Sequence, residues 1–232
     1  MNRSLKKEMM DLPGNPAHLL EGDLKNLRTI NRALGAYRGV LRCLETFRRE
    51  KEITGFSLLD VGTGSGDIPV AIVQWARRKR ISVRVVALEP DRITAEVARR
   101  HTKSFPEILI VRGDGLRPPF SPFSFDFIFA SQLLHHFSER EIVETLRTWA
   151  ALARRGILLS DLIRHPLAYY GIRLLTALFT RNEMTRIDAP LSVRRAFTLA
   201  EWRELFQRAG IGEFTLSSFF PFRLLAFFPL RA

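Results

Sequence analysis

Residues 60–66, with the sequence D-V-G-T-G-S-G, have the residue types and spacing that most clearly suit ligand chemistry. Clustered glycines let a backbone approach a ligand closely and adopt positive φ angles. A dinucleotide-binding loop has the spacing G-x-G-x-x-G and places a pyrophosphate at the start of the next helix. Here the spacing is G-x-G-x-G, and the carboxylate of Asp60 would repel a pyrophosphate. The loop therefore favours a ligand that carries an ammonium group.

Two further acidic residues follow the next two predicted strands. Glu89 lies 23 residues beyond Gly66, where a carboxylate can accept hydrogen bonds from both hydroxyls of a ribose. Asp114, between Gly113 and Gly115, can accept a hydrogen bond from an exocyclic amine, although Asp-Gly is also an ordinary turn pair. Together with the glycine loop, these residues suit a ligand with an ammonium-bearing chain, a ribose and an adenine.

His135 and His136 follow the fourth predicted strand and are the candidates for catalysis. An imidazole, with an ordinary pKa of about 6.5, suits a general base at neutral pH. A weakly acidic substrate group, such as a phenol with a pKa of about 10, is mostly neutral at pH 7, and a general base assists its reaction. The alternative is that one histidine only orders the loop by hydrogen bonding.

Four other residues are candidates for contact with a substrate. Asp161 ends the fifth predicted strand, at the edge where doubly wound sheets bind ligands, and is expected to touch substrate, hold a histidine or cap a loop. Tyr169 and Tyr170 lie on an apolar helix that is either a lid over an aromatic or aliphatic substrate or an ordinary core helix. Arg194, together with its neighbour Arg195, would receive an anionic substrate or pair with nearby acids.

These residues are carried by short apolar runs that alternate with helical segments, which is typical of a parallel sheet covered on both faces. The predicted strands are residues 56–61, 83–88, 108–112, 125–130 and 157–161. The predicted helices between them are residues 68–78, 93–103 and 139–152. The alternation predicts a doubly wound α/β fold.

The N-terminal residues 1–50 are predicted to be a helical segment that precedes the main domain of residues 51–232. Apolar residues at three- and four-residue steps predict one helix over 24–50. Gly35 and Gly39 weaken its middle and predict a kink or a close contact there.

Residues 162–197 interrupt the alternation and are predicted to form a cap insertion after the fifth strand. The insertion contains an apolar helix over 165–180 and then a polar loop through 188–190. The apolar helix points to a hydrophobic acceptor.

The chain closes with one more helix and two strands. Thr198 and Glu201 have the spacing of a capping box, which predicts a helix over 198–209. Residues 213–218 and 222–228 predict an antiparallel strand pair.

The composition limits the class of protein. A length of 232 residues with 46% apolar and 26% charged residues suits one α/β domain with a proper core and excludes disorder as the main state. A single cysteine, Cys43, excludes a disulfide framework and a cysteine zinc site within one chain. The five histidines show no metal-hydrolase spacing, so no metal ligand is predicted.

The net charge of +12 raises the question of nucleic-acid binding. The excess of basic residues is spread along the chain without a basic tail. Short clusters, such as residues 77–80 and 99–100, fall near predicted helix ends, where cations complement the helix dipole. Nucleic acid is therefore not the expected partner, and an enzyme acting on RNA is kept as the alternative.

Residues 1–11 lack the apolar run of a signal peptide, and no apolar stretch reaches the roughly 20 residues that a bilayer needs. A cytoplasmic protein is predicted. Contact with a membrane surface stays open, because the 18 phenylalanines crowd mainly into the second half of the chain. The sequence does not set the oligomeric state.

Over about residues 56–161 the sequence resembles the class I S-adenosylmethionine-dependent methyltransferases. The branch that it resembles acts on small molecules and includes ubiquinone, menaquinone and polyketide methyltransferases. The matching pieces are residues 60–66, Glu89-Pro90-Asp91, Asp114-Gly115, residues 125–128 and residues 134–137. One departure is Glu89, which replaces the commoner aspartate and lengthens the reach of the carboxylate.

The resemblance implies a seven-stranded Rossmann-like sheet with the strand order 3-2-1-4-5-7-6. It also implies S-adenosylmethionine as cofactor, with each matching residue near one part of it. Near the methionine moiety it places Asp60, Gly62, Gly64, Gly66 and Ser131; near the ribose, Glu89; and near the adenine, Asp114. Thr63, Pro90 and Gly115 are also expected to bind the cofactor.

The function expected from this resemblance is methyl transfer to a small, hydrophobic acceptor. A phenolic oxygen of a polyketide, quinol or lipid-phenol is favoured. The alternatives are C-methylation of a similar aromatic acceptor, an RNA or tRNA methyltransferase, and a cofactor-binding subunit without catalysis. An oxidoreductase is disfavoured by the glycine spacing and by Asp60.

Overall fold

The computed structural model describes residues 1–230. In that part of the chain seven strands form one sheet: β1 (Gly55–Val61), β2 (Ser82–Glu89), β3 (Ile108–Arg112), β4 (Phe125–Ser131), β5 (Ala153–Leu162), β6 (Thr215–Phe219) and β7 (Arg223–Pro229). Their order is β3-β2-β1-β4-β5-β7-β6, as the resemblance implies. Neighbours among β1–β5 pair in parallel, whereas β7 is antiparallel to both β5 and β6. The carboxyl ends of the five parallel strands therefore meet at one edge.

The helices are α1 (Ala17–Ala33), α2 (Ala36–Lys51), α3 (Asp67–Lys79), α4 (Arg92–Thr102), α5 (Glu139–Leu152), α6 (Pro166–Phe179), α7 (Glu183–Arg195) and α8 (Leu199–Ala209). Successive strand residues point to opposite faces of the sheet. Leu58 and Phe127 accordingly pack in a core with α2 and α3, while Leu59 and Ile128 pack in another core with α5 and α8. Both faces are covered, which explains why the parallel strands are apolar along their length.

The N-terminal helix differs from the prediction of one helix over 24–50. It begins earlier and is broken into α1 and α2 at Leu34 and Gly35. Gly35 precedes α2 with a φ of +75°, a conformation that glycine adopts at little cost. At Gly39 a Cβ would lie 2.8 Å from the Phe219 ring. The two glycines thus provide the predicted kink and the predicted close contact, respectively.

The predicted polar loop through residues 188–190 is wrong, because this segment lies within helix α7. Asn182 caps the helix by accepting a hydrogen bond from the Thr185 backbone N–H, and Pro190 lies inside it. Asp188, although polar, is buried and accepts hydrogen bonds from the backbone N–H groups of Met9 and Met10 at 2.8 and 3.0 Å. The polar residues of α7 therefore serve contacts inside the protein.

The C-terminal predictions are confirmed. Thr198 caps α8 by accepting from the Glu201 N–H, and the Glu201 carboxylate accepts from the Thr198 N–H. Gly210 ends the helix in the left-handed conformation. Strands β6 and β7 form the expected antiparallel pair.

Candidate functional site

A cavity of about 570 Å³ opens at the carboxyl edge of the parallel strands. The loops that follow β1, β2 and β4 line it together with α1, α7 and residues 8–13. Its size lies within the roughly 300–1,000 Å³ of small-ligand pockets. The position agrees with the rule that doubly wound sheets bind ligands where the strand order reverses, here between β1 and β4.

The glycine loop forms the floor of the cavity in a conformation that needs glycine. Gly62 has a φ of +68°, and a Cβ there would lie 2.8 Å from the Leu133 side chain. Gly66 has a φ of +73° and immediately precedes α3. The backbone N–H groups of Gly62 and Thr63 donate to the Leu88 carbonyl at 2.9 and 3.1 Å, which fixes the loop against β2.

Two buried carboxyl groups face this cavity. Asp60 is 3% exposed, and its burial, with repulsion from Asp67 and Glu89, raises its pKa to about 8. Burial also raises the pKa of Glu89 to about 7, although this carboxylate accepts from the Gly64 and Asp91 N–H groups at 3.0 and 3.1 Å. Both groups bind protons near neutral pH, and a cationic ligand would favour their charged forms.

Two hydroxyl groups in the cavity wall lack partners among the described residues. The Oγ of Ser131 and the Oγ1 of Thr63 are buried and make no hydrogen bond within residues 1–230. Buried polar atoms are normally satisfied. These two hydroxyls are therefore suited to bind a polar ligand.

Asp114 and Gly115 are not brought to the cavity. Asp114 is exposed and accepts a hydrogen bond from the Leu116 N–H at 2.9 Å. The Gly115 carbonyl accepts from the Trp149 indole at 2.9 Å. Pro90, in contrast, lines the cavity beside Glu89. Contact of Asp114 and Gly115 with an adenine stays a prediction that this arrangement does not favour.

His135 is fully enclosed and is held by Asp161. Its Nδ1 lies 2.6 Å from Asp161 Oδ1, and its Nε2 lies 3.6 Å from Glu8 Oε1. Burial by itself would lower the pKa of His135, but the charges and hydrogen bonding of Asp161 and Glu8 raise it to about 10. Of the roles predicted for Asp161, the structure thus provides the one in which it holds a histidine.

His136 lies beside His135 and faces the cavity. Its Nδ1 lies 2.9 Å from Asp11 Oδ2, and its Nε2 lies 3.9 Å from Glu8 Oε2. Glu8 is 1% exposed, and burial would raise its pKa, yet the neighbouring imidazoles of His135 and His136 bring it below its ordinary value. Each histidine therefore has a carboxylate at Nδ1 and shares Glu8 at Nε2.

Residues 1–12, here called the N-terminal strap, cover this histidine pair. Arg3 donates to the carbonyls of Phe137 and Arg195 at 2.9 and 2.7 Å. Buried Arg195 donates in turn to the carbonyls of Lys6 and His136. The strap is thus tied to α7 and to the loop after β4.

Glu8 and Asp11 are the site residues that sequence reasoning missed, whereas Arg195 was considered together with Arg194. The strap shows no glycine cluster or strand pattern, and more than 120 residues separate Asp11 from His136. The only feature of the sequence that could have pointed to Glu8 and Asp11 is that charged residues are frequent in the strap. Their role depends on tertiary packing.

The remaining predicted substrate residues lie elsewhere. Arg194 is exposed, and it is its neighbour Arg195 that reaches the histidines. Tyr169 and Tyr170 lie on α6, which does not line the cavity. The predicted lid is therefore replaced by the N-terminal strap and α7.

Glu8, His135 and His136 also offer ligand atoms that lie within 4.8 Å of one another, a spacing compatible with a metal ion. Arg195 Nε, however, lies 3.6 Å from Glu8 Oε1, and His135 is held in its protonated form. Positive charge already compensates the Glu8 carboxylate, so the set is poorly suited to a cation. The absence of a metal stays a prediction.

A comparison with protein families finds one model that matches part of the chain. Residues 58–156 match the model described as a methyltransferase domain. A search of curated proteins finds no significant match.

Solved structures share the fold. A Nostoc punctiforme protein provisionally named an O-methyltransferase is 14% identical, with a TM-score of 0.67 over 99% of this chain and 64% of that chain. Human N-acetylserotonin methyltransferase in complex with SAM is 16% identical, with a TM-score of 0.64 over 98% of this chain and 63% of that chain. A Methanococcus maripaludis protein provisionally named an S-adenosyl-L-methionine-dependent methyltransferase is 15% identical. Its TM-score is 0.63 over 95% of this chain and 98% of that chain. The chain spans less than two thirds of the first two structures.

The strand order and the shared structures define the class of fold, which is the Rossmann-like methyltransferase fold. Residues 58–156 match the methyltransferase-domain model. The matched segment contains the glycine loop, Asp60, Glu89 and both histidines. The strap and α7, which complete the cavity, lie outside it.

Proposed function

We propose that the protein transfers a methyl group from S-adenosylmethionine to the phenolic oxygen of a small, hydrophobic acceptor, such as a polyketide, quinol or lipid-phenol. The observation that carries the proposal is that two buried acids and a cavity-facing histidine share one cavity. Asp60 and Glu89 suit a cationic nucleoside, and His136 suits removal of a proton from an acceptor.

The residues present fit S-adenosylmethionine. Asp60 and Glu89 offer carboxylates to a positively charged ligand and its ribose, and the glycine loop lets the ligand lie close to the backbone. The unpartnered hydroxyls of Ser131 and Thr63 are available to its polar groups. When bound, S-adenosylmethionine supplies a methyl group on a positively charged sulfur, and the human structure solved with SAM shares this fold.

His136 is the group we assign as general base. Because Asp11 accepts at Nδ1, the proton of a neutral imidazole lies there and Nε2 retains its lone pair. His135 is a poor base near pH 7 because its raised pKa keeps it protonated. Its role in the proposal is to hold Glu8 and to orient the loop after β4.

Apolar side chains support a hydrophobic acceptor. Met10, Leu12, Leu27, Leu133 and Phe137 also line the cavity. The walls of the cavity can therefore exclude water around an aromatic ring, while alignment of the acceptor with the methyl group supplies much of the acceleration.

The acids of the cavity argue against an RNA substrate. Asp11, Asp23 and Asp91 are among the lining residues, and their carboxylates would repel phosphates when charged. C-methylation of an aromatic ring remains the second candidate, because the same base and the same cavity would serve an activated ring carbon.

The test is an incubation with isotope-labelled S-adenosylmethionine and a panel of phenols, quinols, alkylresorcinols and unmodified tRNA. Mass spectrometry should find label in an aromatic product, and NMR should place it on oxygen. His136→Gln should abolish most of the product, whereas the exposed His18→Gln should not. Label on tRNA alone, or equal product from both variants, would contradict the proposal.

A further inference from the structure

Helix α6 exposes an unusual amount of apolar surface. Leu167, Tyr170, Leu174, Leu178 and Phe179 are each between 62 and 79% exposed. A large exposed apolar patch usually marks an interaction site, because single exposed apolar residues are normally scattered.

Three of the exposed leucines form a continuous stripe. Leu167, Leu174 and Leu178 recur at steps of seven and four residues, which places them on one side of a helix. On the opposite side Thr176 is buried and donates to the Ile172 carbonyl at 2.9 Å. α6 is therefore fixed to the protein by a narrow inner side, through its packing against α7.

The charge around the stripe has one sign. Residues 162–182 contain no Asp or Glu and carry three arginines. Arg164 is paired with Glu201, whereas Arg173 and Arg181 are exposed and make no ion pair with any described residue. The nearest following acid is Glu183, at the start of α7.

We propose that α6 docks this protein on the surface of an anionic phospholipid bilayer, with the stripe in the interface and Arg173 and Arg181 at the headgroups. Apolar and aromatic residues flanked by arginines are the pattern of interfacial helices. Exposed Tyr170, whose ring packs edge to face on that of Tyr169, suits the headgroup region. No helix within residues 1–230 is long and apolar enough to cross a membrane.

Charge favours a bilayer over a second copy of the chain as the occupant. Each copy carries a net charge of +12. Pairing two stripes would bring Arg173 and Arg181 of both copies together, without an acid from residues 162–182 to compensate them. An anionic bilayer supplies both an apolar interior and the opposite charge.

The test is flotation of the full chain with phosphatidylcholine vesicles that contain or lack phosphatidylglycerol. The wild type should bind the anionic vesicles, and salt should weaken this binding. Leu174→Gln with Leu178→Gln should lower the bound-to-free ratio about tenfold or more. Arg173→Gln with Arg181→Gln should lower the bound-to-free ratio about fivefold for each arginine removed. This loss should occur only with the anionic vesicles.

The matched control is Leu5→Gln with Leu109→Gln, which removes two leucines exposed elsewhere, and it should bind like the wild type. Thermal unfolding checks that every variant is folded. Absence of binding to anionic vesicles, or equal loss in the control, overturns the proposal. So does sedimentation showing a dimer that only the Leu174→Gln, Leu178→Gln variant dissociates, because the stripe would then belong to a second copy.

Discussion

Asp161 lies 2.6 Å from the Nδ1 of His135, and both side chains are almost fully buried. Because His135 is charged in this setting, the pair forms a buried ion pair beneath the cavity, with Glu8 on the far side of the ring. Removing one partner of a buried ion pair leaves an uncompensated charge.

Asp161→Asn should therefore lower the free energy of unfolding by about 3–5 kcal/mol. Urea denaturation followed by circular dichroism measures this change. Asp114→Asn, at an exposed carboxyl group, should stay within about 0.5 kcal/mol of the wild type. Equal stability of the two variants would show that the Asp161 pair is not a charged contact.

The same pair predicts a pH dependence of stability. The pKa of His135 in the folded protein, about 10, lies above its ordinary value. Its stabilising contribution should be complete below about pH 6.5 and be lost as the pH rises towards 10. Urea midpoints measured across this range should fall, and in Asp161→Asn the fall should begin at a lower pH. A flat profile in the wild type would contradict the charged state of His135.

His136→Gln should reduce turnover by about 10²–10⁴-fold while leaving S-adenosylmethionine affinity close to that of the wild type. Asp11→Asn should have a smaller effect of the same kind, because it removes the charge at Nδ1 but keeps an acceptor. Steady-state kinetics and calorimetry separate the two parameters. A loss of cofactor affinity equal to the loss of turnover would assign His136 to binding instead.

Part of the site and of the fold could be predicted from the sequence alone. The strands that carry Asp60 and Glu89 follow local apolar patterns, and the cap formed by Thr198 and Glu201 needs only residues within one helical turn. Such features are visible in a linear sequence because their causes are local.

The rest of the site depends on contacts between distant segments. Glu8 meets the histidines only because Arg3 and Arg195 tie the strap to α7. Likewise, the interpretation of residues 188–190 as a loop failed because Asp188 has buried backbone partners in the strap. Residue types gave no sign of these pairings.

S-adenosylmethionine affinity should increase with pH. The pKa values of Glu89 and Asp60, about 7 and about 8, are raised, so both groups are largely protonated at about pH 6 and become charged towards pH 8.5. A cationic ligand binds better to the charged forms, so the dissociation constant should fall about tenfold or more over this interval, with proton release. Calorimetry in buffers of different ionisation enthalpy measures both quantities. Asp60→Asn should reduce the pH dependence of the affinity but not abolish it, because Glu89 still titrates in this interval. A pH-independent affinity of the wild type would contradict the prediction.

Chelation should leave the activity unchanged. Arg195 and protonated His135 already compensate Glu8, so overnight dialysis against EDTA should reduce neither turnover nor thermal stability. Elemental analysis of the purified protein provides the control. Stoichiometric zinc or iron, together with a loss of activity that metal restores, would make Glu8, His135 and His136 a metal site.

The most direct test of the cofactor site is calorimetric titration of S-adenosylmethionine into the wild type and Gly64→Val. Gly64 has a φ of +56°, which a β-branched residue adopts only with strain, and its N–H donates to Glu89. Gly171→Val is the matched control, because Gly171 has open space around it and no positive φ. We expect binding to the wild type and the control, a large loss of affinity in Gly64→Val, and no binding of NAD. Undiminished affinity in Gly64→Val, or NAD binding in place of S-adenosylmethionine, would contradict the assignment of this cavity.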